Sequence, residues 1–182
     1  MSTVTFQMND KTIQAEKGTT LLKAARENGI TIPSMCNSDK VKPYGACRLC
    51  MVEVTKGKRT RIVASCVYEA EEGIVVRTDT EEVRKIRRMI IELLWPTVTG
   101  LAKEYGVESS RFHPKTVDCN LCGLCVRYCT EVRKLDAVFF KGRGLDRELC
   151  ILPELAKECS FCKECHSLCS GGWIVHQAGQ TF

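Results

Sequence analysis

The 182-residue sequence lacks the motifs that most often mark an enzyme active site. It has no G-x-G-x-x-G opening a helix, no Walker phosphate loop, no H-E-x-x-H and no Ser, His and Asp in a hydrolase order. Each absence excludes a common way of binding a dinucleotide, a phosphate or a catalytic zinc ion. We therefore expect no catalytic residues in this chain.

Long apolar runs are missing as well. The longest fall well short of the roughly 18 residues that a membrane span requires. The first residues also lack the basic region and apolar stretch of a secretory signal. We expect no direct membrane insertion and a cytoplasmic location.

Cysteine, in contrast, is abundant and unevenly placed. Of the 13 cysteines, four lie between Cys36 and Cys66, none in the next 52 residues, and nine between Cys119 and Cys169. The odd number argues against a closed disulfide framework, which leaves zinc or iron–sulfur sites as the main explanations. The distribution predicts two cysteine-rich modules joined by a cysteine-free linker.

The first module has the pattern of a small α+β sheet domain. Apolar residues alternate with polar ones on both sides of Asn9-Asp10, which predicts a hairpin over 4–15. Thr19 or Thr20 would then cap a short helix that ends at Asn28-Gly29. The β-branched runs at 51–55 and 73–78 predict two more strands.

The linker begins where the spacing of the apolar residues changes to that of an α-helix. Apolar residues at helical spacing, acidic residues in the first turn and Pro96 after the end predict a helix over 80–95. A shorter helix is predicted over 100–105. The other face of the first helix carries four basic residues, Arg84, Lys85, Arg87 and Arg88. We interpret it as a solvated face. Docking onto an acidic surface of a partner is the alternative.

The C-terminal module contains an internal repeat of a cysteine run. Cys119, Cys122, Cys125 and Cys129 recur forty residues later as Cys159, Cys162, Cys165 and Cys169, each run reading C-x2-C-x2-C-x3-C. In two-cluster ferredoxins the first three thiolates of a run bind one cluster and the fourth binds the other. The predicted ligand sets are therefore Cys119, Cys122, Cys125 and Cys169 for one 4Fe-4S cluster, and Cys129, Cys159, Cys162 and Cys165 for the second. Zinc is the alternative, although a third cysteine two residues after a C-x2-C pair is unusual for it.

A third set of cysteines lies in the first module. Cys36, Cys47, Cys50 and Cys66 have the spacing C-x10-C-x2-C-x15-C, a variant of the plant-type 2Fe-2S spacing. We predict that these four thiolates hold one 2Fe-2S cluster. Zinc or unligated thiols are the alternatives.

Two segments carry a resemblance to known proteins. Residues 1–80, with Pro33-Ser34-Met35-Cys36 and Gly45-x-Cys47-Arg48-x-Cys50-x-Val52-Glu53, resemble the N-terminal domain of the large iron–sulfur subunit of respiratory NADH dehydrogenase. The same domain is the N-terminal domain of iron-only hydrogenases and of the diaphorase-side subunits of NAD(P)-linked hydrogenases and formate dehydrogenases. Residues 111–182 are similar to the ferredoxin domain that follows in the hydrogenase members.

This resemblance implies a fold and a domain order. It implies an α+β chain with a β-grasp 2Fe-2S ferredoxin domain at 1–79, a helical linker at 80–110, and a bacterial-type two 4Fe-4S ferredoxin domain at 111–182. These families also carry a His-ligated 4Fe-4S segment, H-x3-C-x2-C-x5-C, between the two domains. The corresponding stretch from Leu94 to Val107 contains no cysteine, so that cluster is expected to be missing here.

Four further residues are weaker candidates for ligands. Five residues separate His113 from Cys119, instead of the three of the family pattern, and His166 and His176 are interpreted as packing or surface residues. Cys150 has no counterpart in the repeat, because Ser110 stands forty residues before it. We interpret Cys150 as a buried or incidental thiol, with a partner-facing or ligand role as the alternative.

The predicted function is electron transfer. The resemblance implies an iron–sulfur subunit of a multi-subunit NAD(P)-linked, potentially electron-bifurcating oxidoreductase, whose partners are a flavin- and NAD(P)-binding diaphorase-type subunit and a further redox or catalytic subunit. A free-standing polyferredoxin carrier and a zinc-binding structural module are the alternatives. No nucleic acid partner is expected, because twelve thiolates and three cluster cores would turn the formal charge of +5 into about −1.

Overall fold

The structure is a computed structural model that describes residues 2–112 and 119–179. Its described residues form two compact units. The first unit contains 2–35 and 47–112, and the second contains 36–46 and 119–179. This division differs from the predicted domains in two respects: the helices of 80–110 belong to the first unit, and the short segment 36–46 belongs to the second.

A mixed five-stranded sheet forms the centre of the first unit. The strands and the first helix are β1 (Thr3–Met8), β2 (Lys11–Glu16), α1 (Leu21–Glu27), β3 (Met51–Lys56), β4 (Arg59–Ala64) and β5 (Val75–Arg77). The strands lie in the order β2-β1-β5-β3-β4, with β1 parallel to β5 and the other pairs antiparallel. This mixed arrangement of a sheet with few helices is consistent with the predicted β-grasp 2Fe-2S domain.

The predicted hairpin and strands are confirmed, and the structure adds one strand. The sequence does not predict β4, because it begins Arg-Thr-Arg at exposed positions and lies at the edge of the sheet, where no apolar alternation is required. Thr20 is the residue that caps α1, since its Oγ1 accepts a hydrogen bond from the Lys23 N–H at 3.4 Å. The buried face of α1 packs into an aliphatic core with Phe6 and Met8 of β1.

The two predicted linker helices are confirmed as α2 (Glu81–Leu93) and α3 (Thr99–Glu104). Thr80 caps α2 by accepting a hydrogen bond from the Val83 N–H at 3.3 Å. The predicted basic face is corrected at one position. Arg87 is 2% exposed, whereas Arg84, Lys85 and Arg88 are exposed as predicted.

The second unit is built from short elements around its cysteines. Its core contains thiols beside aliphatic and aromatic side chains, among them Cys125, Cys129, Cys159 and Cys165. The helices and strands are α4 (Leu124–Tyr128), a π-helical turn (Cys129–Arg133), β6 (Val138–Lys141), β7 (Glu148–Ile151), α5 (Ala156–Cys162) and α6 (Trp173–Gly179). The hairpin of β6 and β7 separates the two cysteine runs and is not predicted from the sequence.

Within the described part of the chain, no helix combines the length and the apolar character needed to cross a membrane.

Candidate iron–sulfur centres

All thirteen cysteines lie within the described residues, and none of them is part of a disulfide. Three of the four predicted 2Fe-2S ligands lie in the first unit, and each of them is buried: Cys47, Cys50 and Cys66. The antiparallel pairing of β3 with β4 places Met51 opposite Ala64. Because Cys50 precedes β3 and Cys66 follows β4, these two residues lie at the same end of the sheet.

Hydrogen bonds fix the backbone at this end of the sheet. The carbonyl oxygen of Cys50 accepts from the Ser65 N–H at 3.0 Å and from the Ser65 hydroxyl at 2.8 Å. Between Cys47 and Cys50, Arg48 has a left-handed backbone with φ of 58°. A left-handed residue turns the chain sharply, which lets a C-x2-C segment curve around a ligand.

The fourth predicted 2Fe-2S ligand, Cys36, belongs to the second unit. It is 1% exposed. Its carbonyl oxygen accepts a hydrogen bond from Nη2 of Arg127 at 2.6 Å, and Arg127 lies in α4 between two predicted 4Fe-4S ligands. The segment 36–46 is thereby fixed to the cysteine run of its own unit.

Thiols of the first run interact with a thiol of the second. Burial raises the pKa of Cys119, and negative charge on Cys169 adds to the rise. The pKa of Cys122 is raised by burial and by charge on Cys119, Cys169 and Cys36. Nδ2 of Asn120 also donates to the Ser170 hydroxyl at 3.4 Å, which places the last cysteine of the second run, Cys169, beside the first run.

Thiols of the second run interact in the same way with Cys129, the last cysteine of the first run. Burial raises the pKa of Cys159, with a contribution from charge on Cys129. The pKa of Cys165 is raised to about 12 by burial and by charge on Cys159, Cys129 and Cys162. The same four thiols line one small cavity: Cys129, Cys159, Cys162 and Cys165. Burial and then charge on Cys165 and Cys122 raise the pKa of Cys125.

Backbone N–H groups point at several of these sulfur atoms. The Leu121 N–H donates to Sγ of Cys119 at 3.4 Å, and the Ala137 N–H donates to Sγ of Cys129 at 3.2 Å. A hydrogen bond from the Leu124 backbone lowers the pKa of Cys122 against the effect of burial. Such donors stabilise thiolates and are one of the means by which proteins set iron–sulfur potentials.

Two buried nitrogen atoms lack a hydrogen-bond partner among the described residues: Nε of Arg127 and Nε2 of His166. Both residues lie within a cysteine run. Buried polar atoms are almost always paired, and cluster sulfides or thiolates would supply acceptors at these places. The donor set of buried thiols and N–H groups therefore fits iron–sulfur clusters.

The remaining candidates contribute less. Cys150 lies half-buried in β7, opposite Phe139. His113 lies outside the described residues. Over 2–112 and 119–179, no three His, Cys, Asp or Glu side chains lie close enough to share a single metal ion. That finding concerns mononuclear sites, whereas each thiolate of a cubane cluster binds its own iron.

Arg127 is the residue of this region that the sequence reasoning missed. The signal was an arginine inside a C-V-R-Y-C run of otherwise ligating or apolar residues.

Comparison with known proteins defines the class of the first domain. Residues 1–81 match the family model of the 2Fe-2S iron–sulfur cluster binding domain. This match supports the 2Fe-2S cluster predicted for the first module.

The related proteins are subunits of NAD(P)-linked oxidoreductases. The chain is 26% identical over 182 residues to the mitochondrial NADH-ubiquinone oxidoreductase 78 kDa subunit of Candida albicans, covering 82% of this chain and 25% of the relative. It is 30% identical over 203 residues to the NADPH-Fe(3+) oxidoreductase subunit alpha of Geobacter sulfurreducens, covering 94% of this chain and 24% of the relative. The predicted resemblance is thus confirmed, and the chain spans about a quarter of the length of these relatives.

A solved structure is similar as well. A chain of the crystal structure of NAD+-reducing [NiFe]-hydrogenase in the H2-reduced state matches with a TM-score of 0.73 and 28% identity, over 82% of this chain and 75% of that chain.

Proposed function

We propose that this chain is the electron-transfer iron–sulfur subunit of a multi-subunit NAD(P)-linked oxidoreductase. It relays single electrons between a flavoprotein subunit that reacts with NAD(H) or NADP(H) and another redox subunit. The observation that carries the proposal is the grouping of buried and half-buried thiols from two separate cysteine runs, with Cys129 of the first run lining one cavity with three cysteines of the second.

The proposed ligand sets are those expected from the sequence. Cys36, Cys47, Cys50 and Cys66 would hold the 2Fe-2S cluster. Cys119, Cys122, Cys125 and Cys169 would hold one 4Fe-4S cluster, and Cys129, Cys159, Cys162 and Cys165 the other. Bound clusters supply one-electron redox chemistry; the remaining work is done by the chain itself.

The chain's part in this mechanism is to hold and shield the thiolates. Burial raises the thiol pKa values, so these thiols would give up their protons only as ligands of iron. The N–H groups of Leu121 and Ala137 would stabilise the sulfur atoms of Cys119 and Cys129 as thiolates. Apolar side chains in the second core exclude water from the thiols.

Cys36 is the member of the proposed 2Fe-2S set that belongs to the second unit. Its carbonyl oxygen accepts a hydrogen bond from Nη2 of Arg127 at 2.6 Å, and Arg127 stands between Cys125 and Cys129 in the chain. The backbone of this proposed 2Fe-2S ligand is therefore held to the helix that carries two proposed 4Fe-4S ligands.

Copurification tests the partner assignment. The tagged chain, isolated without oxygen from its native cells, is expected to carry with it a flavin-containing chain, and NADH or NADPH should bleach the iron–sulfur absorbance of that complex. The isolated chain alone should not be bleached by either nucleotide. A chain that purifies alone from native cells while holding all its clusters would instead support the free-standing polyferredoxin.

A further inference from the structure

One carboxylate joins the two cysteine runs of the second unit. The Tyr128 hydroxyl donates to Oε2 of Glu164 at 2.8 Å, and Nη1 of Arg133 lies 2.9 Å from Oε1 of the same side chain. Tyr128 ends α4 in the first run, and Arg133 ends the π-helical turn that follows it. Glu164 stands in the second run, between Cys162 and Cys165. Both of its carboxylate oxygens therefore bind the opposite run.

The two residues that Glu164 binds belong to the wall around four thiols. Tyr128 and Arg133 line the small cavity that also contains the thiols of the second proposed 4Fe-4S set. Tyr128 is 6% exposed, and the next residue is Cys129, the member of that set that comes from the first run. The contacts of Glu164 thus hold the chain beside Cys129 to the turn that carries thiols of the second run.

The internal repeat shows how this position differs between the two runs. Gly123 and Lys163 stand forty residues apart, and both have a left-handed backbone, with φ of 72° and 51°. The residue after Gly123 is Leu124, which is 4% exposed and packs in the core of the second unit. The residue after Lys163 is Glu164. The two turns therefore share a backbone conformation, but apolar packing holds the first, and polar bonds to the other run hold the second.

We propose that Glu164 is a positioning residue that keeps Cys129 in the ligand set of the second 4Fe-4S cluster and thereby slows the loss of iron from that cluster alone. The inference rests on the proposed function, since it needs the cluster. A cubane bound by three thiolates of one run and one of the other stays intact only while the two runs remain together. The first 4Fe-4S set also crosses the runs, at Cys169, but a separate contact from Asn120 to Ser170 holds that crossing.

The two contacts of Glu164 differ in strength. The side chains of Arg133 and Glu164 are 45% and 42% exposed, and ion pairs exposed to water contribute little. The bond from the largely buried Tyr128 to a charged carboxylate is the stronger of the two. Glu164→Ala removes both contacts, and Tyr128→Phe removes the stronger one. Glu164→Gln removes the weaker one, because its amide oxygen can still accept from Tyr128.

The test measures iron release from the whole chain. Wild type, the three variants and the control Glu158→Ala would be purified without oxygen, reduced with dithionite and mixed with an iron(II) chelator. Glu158 is exposed, directly precedes a cysteine ligand as Glu164 does, and has no side-chain ion pair or hydrogen bond among the described residues. Release should be severalfold faster in Glu164→Ala, less so in Tyr128→Phe and least in Glu164→Gln. The control should match wild type.

Two cysteine variants show which cluster is affected. Cys119→Ser should remove the first 4Fe-4S cluster, and Cys162→Ser should remove the second. Adding Glu164→Ala should speed iron release in the Cys119→Ser protein and leave it unchanged in the Cys162→Ser protein. Faster release in both would mean a general loosening of the unit and would overturn the proposal.

Release at the wild-type rate in both Glu164→Ala and Tyr128→Phe would overturn the proposal as well. If Glu164→Ala loses its iron during purification, Tyr128→Phe, which removes a single oxygen atom, takes its place in both cysteine backgrounds and decides the question. Failure of the proposed function looks different, because wild type itself would then lack the iron and the EPR signals of the 4Fe-4S clusters.

Discussion

At the residue scale, Arg87 shows how a charged side chain is accommodated in the first unit. Its Nε donates to the Leu49 carbonyl at 3.0 Å, its Nη2 to the Met51 carbonyl at 2.7 Å, and its Nη1 to the Tyr105 hydroxyl at 2.8 Å. These bonds connect α2 to the chain on both sides of Cys50. Arg87 thus supports the loop that carries two predicted 2Fe-2S ligands.

Replacing Arg87 with methionine should destabilise the first unit by about 3 kcal/mol, because two backbone carbonyls would lose their charged donor inside the protein. The Arg88→Met control changes an exposed neighbour and should cost under about 0.5 kcal/mol. Hydrogen exchange of the β3 amides measures the difference. Equal protection in the two variants would contradict the assigned role of Arg87.

At the element scale, the β6–β7 hairpin determines which cysteines meet. It reverses the chain between the two runs, so that α5 returns toward the π-helical turn containing Cys129. Gly142 makes the tight turn possible: its φ is +75°, and an added Cβ would lie 2.2 Å from the Asp146 carbonyl oxygen. Because the chain reverses here, each group of four thiols can contain cysteines from both runs.

Double cysteine variants test that mixing. Cys119→Ser with Cys169→Ser should remove the same one cluster as either single variant, leaving about six of ten irons. Cys119→Ser with Cys129→Ser should remove both 4Fe-4S clusters and leave about two irons. Iron analysis and EPR of the anaerobically purified variants measure this. The reverse pattern would mean that each run supplies all four ligands of its own cluster.

Sequence patterns predict those helices and strands that are marked by a cap or a turn in their own sequence. The hairpin 4–15, the helix after Thr20 and the helix from Thr80 each have a cap or a turn next to an apolar pattern. β4 and β6 are not predictable in this way, since tertiary pairing and not their own sequence defines them. The attachment of 36–46 to the second unit depends on Arg127, which is 91 residues from Cys36 in the chain, and no local signal reveals it.

At the scale of the whole molecule, the two units differ in what fills their cores. The core of the first is largely aliphatic and packs α1 against the sheet. The core of the second includes four buried cysteines beside Leu124, Tyr128, Leu149 and Ile174. Because thiols bury little apolar surface, the second unit should depend more on bound clusters for its stability.

Removal of iron should therefore affect the units unequally. After anaerobic chelation, the amides of α4 and α5 should exchange severalfold faster, while those of β1 and β2 keep most of their protection. Hydrogen-exchange mass spectrometry of treated and untreated protein measures both sets in one sample. Equal loss of protection in the two units would contradict the difference in their cores.

The central claim, three iron–sulfur clusters in one electron-transferring chain, is tested most directly by iron analysis combined with an EPR-monitored reductive titration of the purified protein. The account predicts about ten irons per chain and the signals of one 2Fe-2S and two 4Fe-4S clusters. Zinc in place of iron, or about two irons with only a 2Fe-2S signal, would contradict it.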